Sequence, residues 1–94
     1  YENKPICIWG VGANGISLLN FCVEKELDLD IVVDKSKEKR GKVIGGYLIN
    51  PPESIGDNIK VVIVTARYIA ESVRAELSEK EVEIIDINEY LAIY

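Results

Sequence analysis

Gly10, Gly12 and Gly15 form a G-x-G-x-x-G spacing in the stretch WGVGANG. The apolar run 6–8 precedes these glycines and the apolar segment 16–23 follows them, so the spacing falls between a predicted strand and a predicted helix. A glycine turn at this place suits the binding of a phosphate, because a helix N-terminus presents free backbone amides and the positive end of the helix dipole.

The three glycines have separate roles in such a turn. Gly10 permits a sharp turn out of the strand, Gly12 lets the backbone approach a phosphate, and Gly15 lets the helix pack closely on the sheet. Ala13 and Asn14 lie between them and complete the candidate turn, with Asn14 as a side-chain donor. The alternative is that the glycines only build the tight turn of a strand-to-helix connection and bind nothing.

An acidic residue stands where the ribose of a nucleotide is expected. Asp34 ends the apolar run 31–33, nineteen positions after Gly15. In a β-α-β nucleotide site, an acid at this distance accepts hydrogen bonds from the ribose hydroxyls. A carboxylate here favours NAD over NADP, whereas the basic loop 35–42, beginning with Lys35, would attract a phosphate. The alternative for Asp34 is a polar residue that simply ends a strand.

Thr65 and Arg67 follow the apolar run 61–64. In an open α/β sheet, ligands lie beyond the carboxyl ends of the strands, near the point where the strand order reverses. That point falls between the glycine turn and Thr65. We therefore include Thr65 as a hydrogen-bond donor and Arg67 as a bidentate partner for a pyrophosphate. An exposed charge at the start of a helix is the alternative for Arg67.

Strands and helices alternate along the chain, which predicts an α/β fold with an open parallel sheet and helices on both faces. Three β-branched runs are continuously apolar, as in strands that are buried on both sides, and the fourth alternates in part, as in an edge strand. Apolar residues recur with the helical period in segments 16–25 and 69–77. The predicted strands are 6–9, 31–33, 61–64 and 82–87.

The middle and the end of the chain complete this prediction. Glycines in segment 41–46 indicate a small hairpin or a short strand ending at 47–49. We expect the strand order 3-2-1-4-5, with the 48–49 strand at one edge and the 82–87 strand at the other. A capping box at 86–89 predicts a short terminal helix.

Composition restricts the classes of function. The chain has 94 residues, which we interpret as one domain, 1–94, and it starts at Tyr1, so we expect it to be a piece of a longer protein. A net charge of −5 argues against a nucleic-acid partner, since that class needs a basic face. No apolar run approaches the ~20 residues of a membrane span, so we expect no span and a cytoplasmic protein.

Residue types for catalysis are scarce. There is no histidine, and Cys7 and Cys22 lie in apolar segments, as small buried residues of a reducing compartment do. No C-x-x-C pair and no carboxylate pair with a spacing for acid–base work is present. We therefore expect neither a metal site nor a catalytic residue here, and we assign the reaction chemistry to the rest of the parent protein.

The chain resembles a Rossmann-like module of bacterial surface-polysaccharide biosynthesis proteins. It is similar to the N-terminal domains of nucleotide-sugar dehydratases and sugar acyltransferases, and to domains attached to glycosyltransferases and sugar-linked methyltransferases. The resemblance rests on a glycine turn after strand one, an acid after strand two, and a stretch of the pattern G-x-x-I-x-G-x-x-V/L-x-x-P. That pattern is approximated by Gly41, Ile44, Gly46, Ile49 and Pro52.

The resemblance covers nearly the whole chain and implies a nucleotide ligand, either an NAD-type dinucleotide or a nucleotide sugar. It implies a parent protein that is a glycosyltransferase or modifies nucleotide sugars, with other domains of the chain, or a second copy, as partners. Trp9 replaces a smaller residue of the family, and it either narrows the floor of the pocket or fills the core. Two alternatives stay open: a domain that binds no nucleotide and acts as a spacer or dimerisation unit, and a ligand-sensing regulatory domain.

Overall fold

The computed structural model describes residues 5–26, 29–66 and 69–87, without the side chain of Asn14. The predicted terminal helix and Arg67 therefore lie outside the described residues. Runs of β-branched residues form the central strands, and the two segments with a helical period form helices. In chain order the elements are β1 (Ile6–Trp9), α1 (Ala13–Glu24), β2 (Ile31–Val33), β3 (Val43–Ile44), β4 (Tyr47–Asn50), a 3₁₀ turn (Pro52–Ser54), β5 (Val61–Val64), α2 (Ala70–Glu76) and β6 (Glu83–Asp86).

The described strands form one sheet of six, in the order β3-β4-β2-β1-β5-β6. Strands β4, β2, β1, β5 and β6 are parallel neighbours. These five strands follow the predicted order 3-2-1-4-5, but the sheet has a sixth strand that the prediction did not contain. The α/β class with an open, mostly parallel sheet is confirmed. The carboxyl ends of β1, β2 and β5 lie side by side, which places the glycine turn between the ends of β2 and β5.

One edge of the sheet differs from the prediction. The 48–49 strand was expected at the edge, but β3 pairs antiparallel with the outer side of β4, through Val43–Leu48 and Ile44–Tyr47. Gly45 and Gly46 connect the two strands with φ values of 60° and 88°, which is the backbone of a tight two-residue hairpin turn. The glycines that indicated a hairpin thus add an outermost strand.

Helix α2 packs on one face of the sheet. Cys7 and Trp9 of β1 and Val62 and Val64 of β5 form a buried cluster with Val73 of α2. Trp9 is only 1% exposed, so of the two roles suggested for this residue, the structure supports filling of the core.

Helix α1 packs on the opposite face. Ile8, Val32 and Ile49, one from each of three neighbouring strands, form a second buried cluster with Leu19 and Cys22 of α1. The two clusters show that helices cover both faces, as the continuously apolar strands predicted. Within the described residues, no helix is long and apolar enough to cross a membrane.

Both cysteines are free thiols inside this core, Cys7 on the α2 side and Cys22 on the α1 side. Burial raises the pKa of the Cys7 thiol to about 12, and it also raises the pKa of Cys22. A thiol with a raised pKa is not a nucleophile at neutral pH, so both cysteines act as small apolar residues.

Candidate functional site

The glycine turn leaves β1 through a conformation that favours glycine. Gly10 has a φ of 114°, and its N–H donates to the carbonyl of Val33 at 2.9 Å, which ties the turn to the end of β2. On the other side, the Thr65 hydroxyl lies 2.6 Å from the carbonyl oxygen of Gly10 and donates to it. Both neighbouring strands therefore hold Gly10 in place.

Thr65 is buried, with 2% of its surface exposed, at the end of β5. Its hydroxyl also lies 3.2 Å from the carbonyl oxygen of Trp9, so it stands between the last residue of β1 and the first residue of the turn. These two hydroxyl contacts are with backbone carbonyls, which gives Thr65 a positioning role. A direct contact of Thr65 with a ligand stays a prediction.

Gly15 lies where α1 crosses the turn. A Cβ atom at this position would be 2.0 Å from the carbonyl oxygen of Gly10 and 3.1 Å from the Thr65 hydroxyl. No side chain fits at such distances, so the close approach of helix and strand that the sequence predicts for Gly15 is present.

Gly12 is different, because a Cβ atom there would meet nothing within 4 Å. The residue is extended, with a φ of −74°, and it is the N-cap of α1, which has no side-chain cap and no acidic residue in its first turn. The exposed Ala13 follows directly. The backbone at Gly12 therefore faces open space, and the first turn of α1 holds no acidic residue, an arrangement that suits an anion.

Asp34 lies against the glycine turn. Its Oδ2 accepts a hydrogen bond from the Val11 N–H at 2.9 Å, and its Oδ1 accepts one from the Ser36 N–H at 2.7 Å. The side chain is 15% exposed, and the Lys39 ammonium lies 3.9 Å from Oδ2. The carboxylate thus ties the β2–β3 loop to the turn, and any ribose hydroxyl would have to share oxygens that already accept from amides.

Lys35 has partners away from Asp34. Its ammonium forms an ion pair with Glu76 of α2 and lies 5.9 Å from the centroid of the Trp9 ring. At this distance the cation is attracted to the ring, and the ion pair joins the β2–β3 loop to α2. The predicted role of Lys35 at a ligand stays a prediction.

The structure brings together most of the residues that the sequence singled out: Gly10, Gly12, Ala13, Gly15, Asp34 and Thr65. Arg67 and the side chain of Asn14 lie outside the described residues. The sequence did not predict that Val11, Ser36 and Lys39 contact the carboxylate of Asp34. Two of these contacts use backbone amides, for which residue type carries no signal.

Asp34→Ala should lower the free energy of unfolding by ~2 kcal/mol, because two partly buried amides lose a charged acceptor. The measurement is urea unfolding without any ligand, and Asp57→Ala is the control. Asp57 also carries a carboxylate in an ion pair, with Lys80, but its side chain is 97% exposed, so its removal should have a much smaller effect. Equal effects of the two substitutions would show that Asp34 does not stabilise the turn.

The chain matches the profile of a known family, described as C-methyltransferase C-terminal domain, over residues 1–86. The chain belongs to this family. The match supports one class named by the resemblance, the domains attached to methyltransferases, and the link to glycosyltransferases stays a prediction. No curated protein matches the chain significantly.

Two solved structures resemble this family member in fold. The UDP-D-quinovosamine 4-dehydrogenase from Vibrio fischeri superposes with a TM-score of 0.70 at 20% identity, over 86% of this chain and 75% of that one. RSP, a Rex-family repressor, superposes with a TM-score of 0.67 at 14% identity, over 96% of this chain and 56% of that one. The chain therefore spans little more than half of the repressor. At these identities the likeness shows the Rossmann-like fold alone.

Proposed function

We propose that this domain binds the nucleotide part of a nucleotide sugar at the glycine turn and so presents the sugar to the methyltransferase part of its parent protein. Gly12 carries the proposal, because open space lies over it at the N-terminus of α1. A phosphate needs a close backbone approach and free amides, and the N-terminus of α1 offers both, with no acidic residue in its first turn. The nearby carboxylate of Asp34 accepts from the Val11 and Ser36 amides.

Family membership and chemistry favour a nucleotide sugar over a dinucleotide. Transfer of a methyl group to carbon needs a methyl donor and an acceptor, but no hydride carrier. A C-terminal domain of a C-methyltransferase therefore has more use for the acceptor than for NAD. The dehydrogenase that shares the fold acts on a UDP-sugar, as its name says, but a dehydrogenase also needs a hydride acceptor, so this likeness agrees with both candidates. An NAD-type dinucleotide remains the second candidate, because Asp34 lies at the end of β2, where the ribose of a dinucleotide is expected.

Asp34 fits either nucleotide as a residue that shapes the turn. Because it holds the Val11 N–H, the backbone leading to Gly12 is fixed before a ligand arrives. A preformed site loses less conformational entropy on binding, which raises affinity. The reaction itself belongs to other domains of the parent polypeptide.

A thermal-shift screen of the 94-residue chain against UDP-glucose, NAD, NADP and coenzyme A tests the proposal. A ligand at one hundred times its Kd stabilises the fold by roughly 2.7 kcal/mol. In a domain of this size that raises the Tm by about 10 °C or more. We expect the largest shift with UDP-glucose.

The four ligands separate the alternatives. An increase in Tm with NAD and NADP but not with UDP-glucose would show that the ligand is a dinucleotide and not a nucleotide sugar. No shift with any of them would contradict nucleotide binding and favour a spacer or dimerisation unit.

A further inference from the structure

The loop between β2 and β3 is basic in an acidic protein. Residues 35–42 contain five cations and one acid, whereas the whole chain has a net charge of −5. A loop of this charge follows directly on Asp34 and connects the end of β2 to the hairpin. The cations of the loop differ in their contacts, and these contacts show which of them lies at the glycine turn.

Four of the five cations have partners away from the glycine turn or are exposed, and Lys42 is one of the exposed ones. Lys35 forms the ion pair with Glu76, and an Nη of Arg40 donates to the carbonyl of Lys35 at 3.5 Å. Lys37 is exposed and makes no hydrogen bond or ion pair with the other residues that the structure describes.

Lys39 is placed at the turn itself. Its ammonium lies 3.4 Å from the carbonyl oxygen of Val11 and 3.9 Å from Oδ2 of Asp34. Val11 directly precedes Gly12, the residue that borders the open space at the start of α1. The ammonium of Lys39 therefore contacts the residue next to Gly12. Within the described loop, Lys39 is the cation with a contact to the turn.

We propose that Lys39 determines the charge specificity of the glycine turn, by leaving Asp34 and Val11 and binding a phosphate oxygen of the ligand. This inference rests on the proposed function and names a residue that carries it. The lysine side chain has a flexible four-carbon stem, so its ammonium can follow an anion placed at Gly12.

The present contacts of Lys39 are easily given up. Charge-assisted hydrogen bonds of ammonium groups measure about 2.7–2.9 Å, and both contacts of Lys39 are longer. Its side chain is 37% exposed, and ion pairs at such positions contribute little to stability. Asp34 keeps its two amide donors when Lys39 leaves, so the turn retains its shape.

The alternative is that Lys39 only adds to the positive potential of the loop. Two variants separate these roles, Lys39→Met and Lys37→Met. Each removes one positive charge from the same loop and keeps a long side chain, but only Lys39 contacts the turn. A third variant, Lys39→Arg, keeps the charge.

The experiment is calorimetry of the 94-residue chain with UDP-glucose and NAD at two salt concentrations. Lys39→Met should weaken binding of the tighter probe about tenfold or more, the effect of one charge-assisted hydrogen bond. It should also reduce the salt dependence of the Kd, because one screened charge contact is lost. Lys37→Met should stay close to the wild type, and Lys39→Arg should retain most of the affinity.

Equal weakening of binding by Lys39→Met and Lys37→Met would overturn the inference. It would show that Lys39 acts only through the positive electrostatic potential of the loop. Wild-type affinity of Lys39→Met would overturn it as well, while binding by the wild type would still support the proposed function. A wild type that binds neither probe would contradict both. The Val11 amide signal in the NMR spectrum of ligand-free Lys39→Met should stay near its wild-type position, since Asp34 remains its acceptor.

Discussion

Gly15→Ala is expected to lower the free energy of unfolding by ~3 kcal/mol or more, because its added methyl group has no space. The new Cβ would lie 2.0 Å from the carbonyl oxygen of Gly10 and 2.8 Å from the carbonyl carbon. Both atoms belong to a backbone that hydrogen bonds hold to Val33 on one side and to Thr65 on the other. Moving these atoms would break those hydrogen bonds. Helix α1 would have to move away from the sheet and loosen the cluster around Leu19.

Gly12→Ala is the matched control, with the same chemical change three residues earlier. Nothing lies within 4 Å of its added Cβ, and a φ of −74° is accessible to alanine. The expected loss is below ~1 kcal/mol, because alanine is a poorer N-cap than glycine. Urea unfolding followed by circular dichroism measures both variants. A Gly15→Ala domain as stable as the Gly12→Ala domain would show that α1 does not pack on the turn as the structure has it.

The central strands followed from the sequence because β1, β2 and β5 are continuous apolar runs, and such runs belong in the middle of a helix-covered sheet. Strand β3 could not be found in that way. It has only two residues, and its pairing depends on the positive φ values of Gly45 and Gly46, not on a run of apolar side chains. The glycines indicated a turn, but the sequence did not show that the turn folds β3 back onto the outer side of β4.

The candidate site was predictable in position and only partly in its bonds. Spacing placed Asp34 and Thr65 beside the glycine turn, because the carboxyl ends of neighbouring parallel strands meet there. Spacing does not tell which atoms fill the lone pairs of a carboxylate. The hydrogen bonds from the Val11 and Ser36 amides to Asp34 are therefore known only from the structure. The same holds for the hydrogen bond from the Thr65 hydroxyl to the Gly10 carbonyl.

The same distinction separates the glycines of the G-x-G-x-x-G spacing. Gly10 and Gly15 are required by the fold, since a Cβ at either position meets Thr65 or backbone atoms at 3.1 Å or less. A domain that had lost its ligand would still need both of them. Gly12 has no such neighbour, so the fold alone does not explain why a side chain is absent there. Gly12 is therefore the position at which binding and folding can be tested apart.

Gly12→Val should abolish nucleotide binding and leave the domain folded. The extended backbone of Gly12, with a φ of −74° and a ψ of −164°, is accessible to a β-branched residue. Its side chain would enter the open space at the start of α1, where the phosphate is proposed to lie, and would keep the anion from the amides. The free energy of unfolding should fall by only ~1 kcal/mol, the effect of a poorer N-cap.

Calorimetry with the ligand that gives the largest thermal shift measures the loss, and circular dichroism with urea unfolding measures the fold. Ser17→Val is the control, because it adds a β-branched residue to α1 at an exposed position beyond the first turn of the helix. That variant should bind like the wild type. If Gly12→Val also keeps wild-type affinity while its fold is intact, no phosphate lies over the turn, and the ligand must bind elsewhere on the domain.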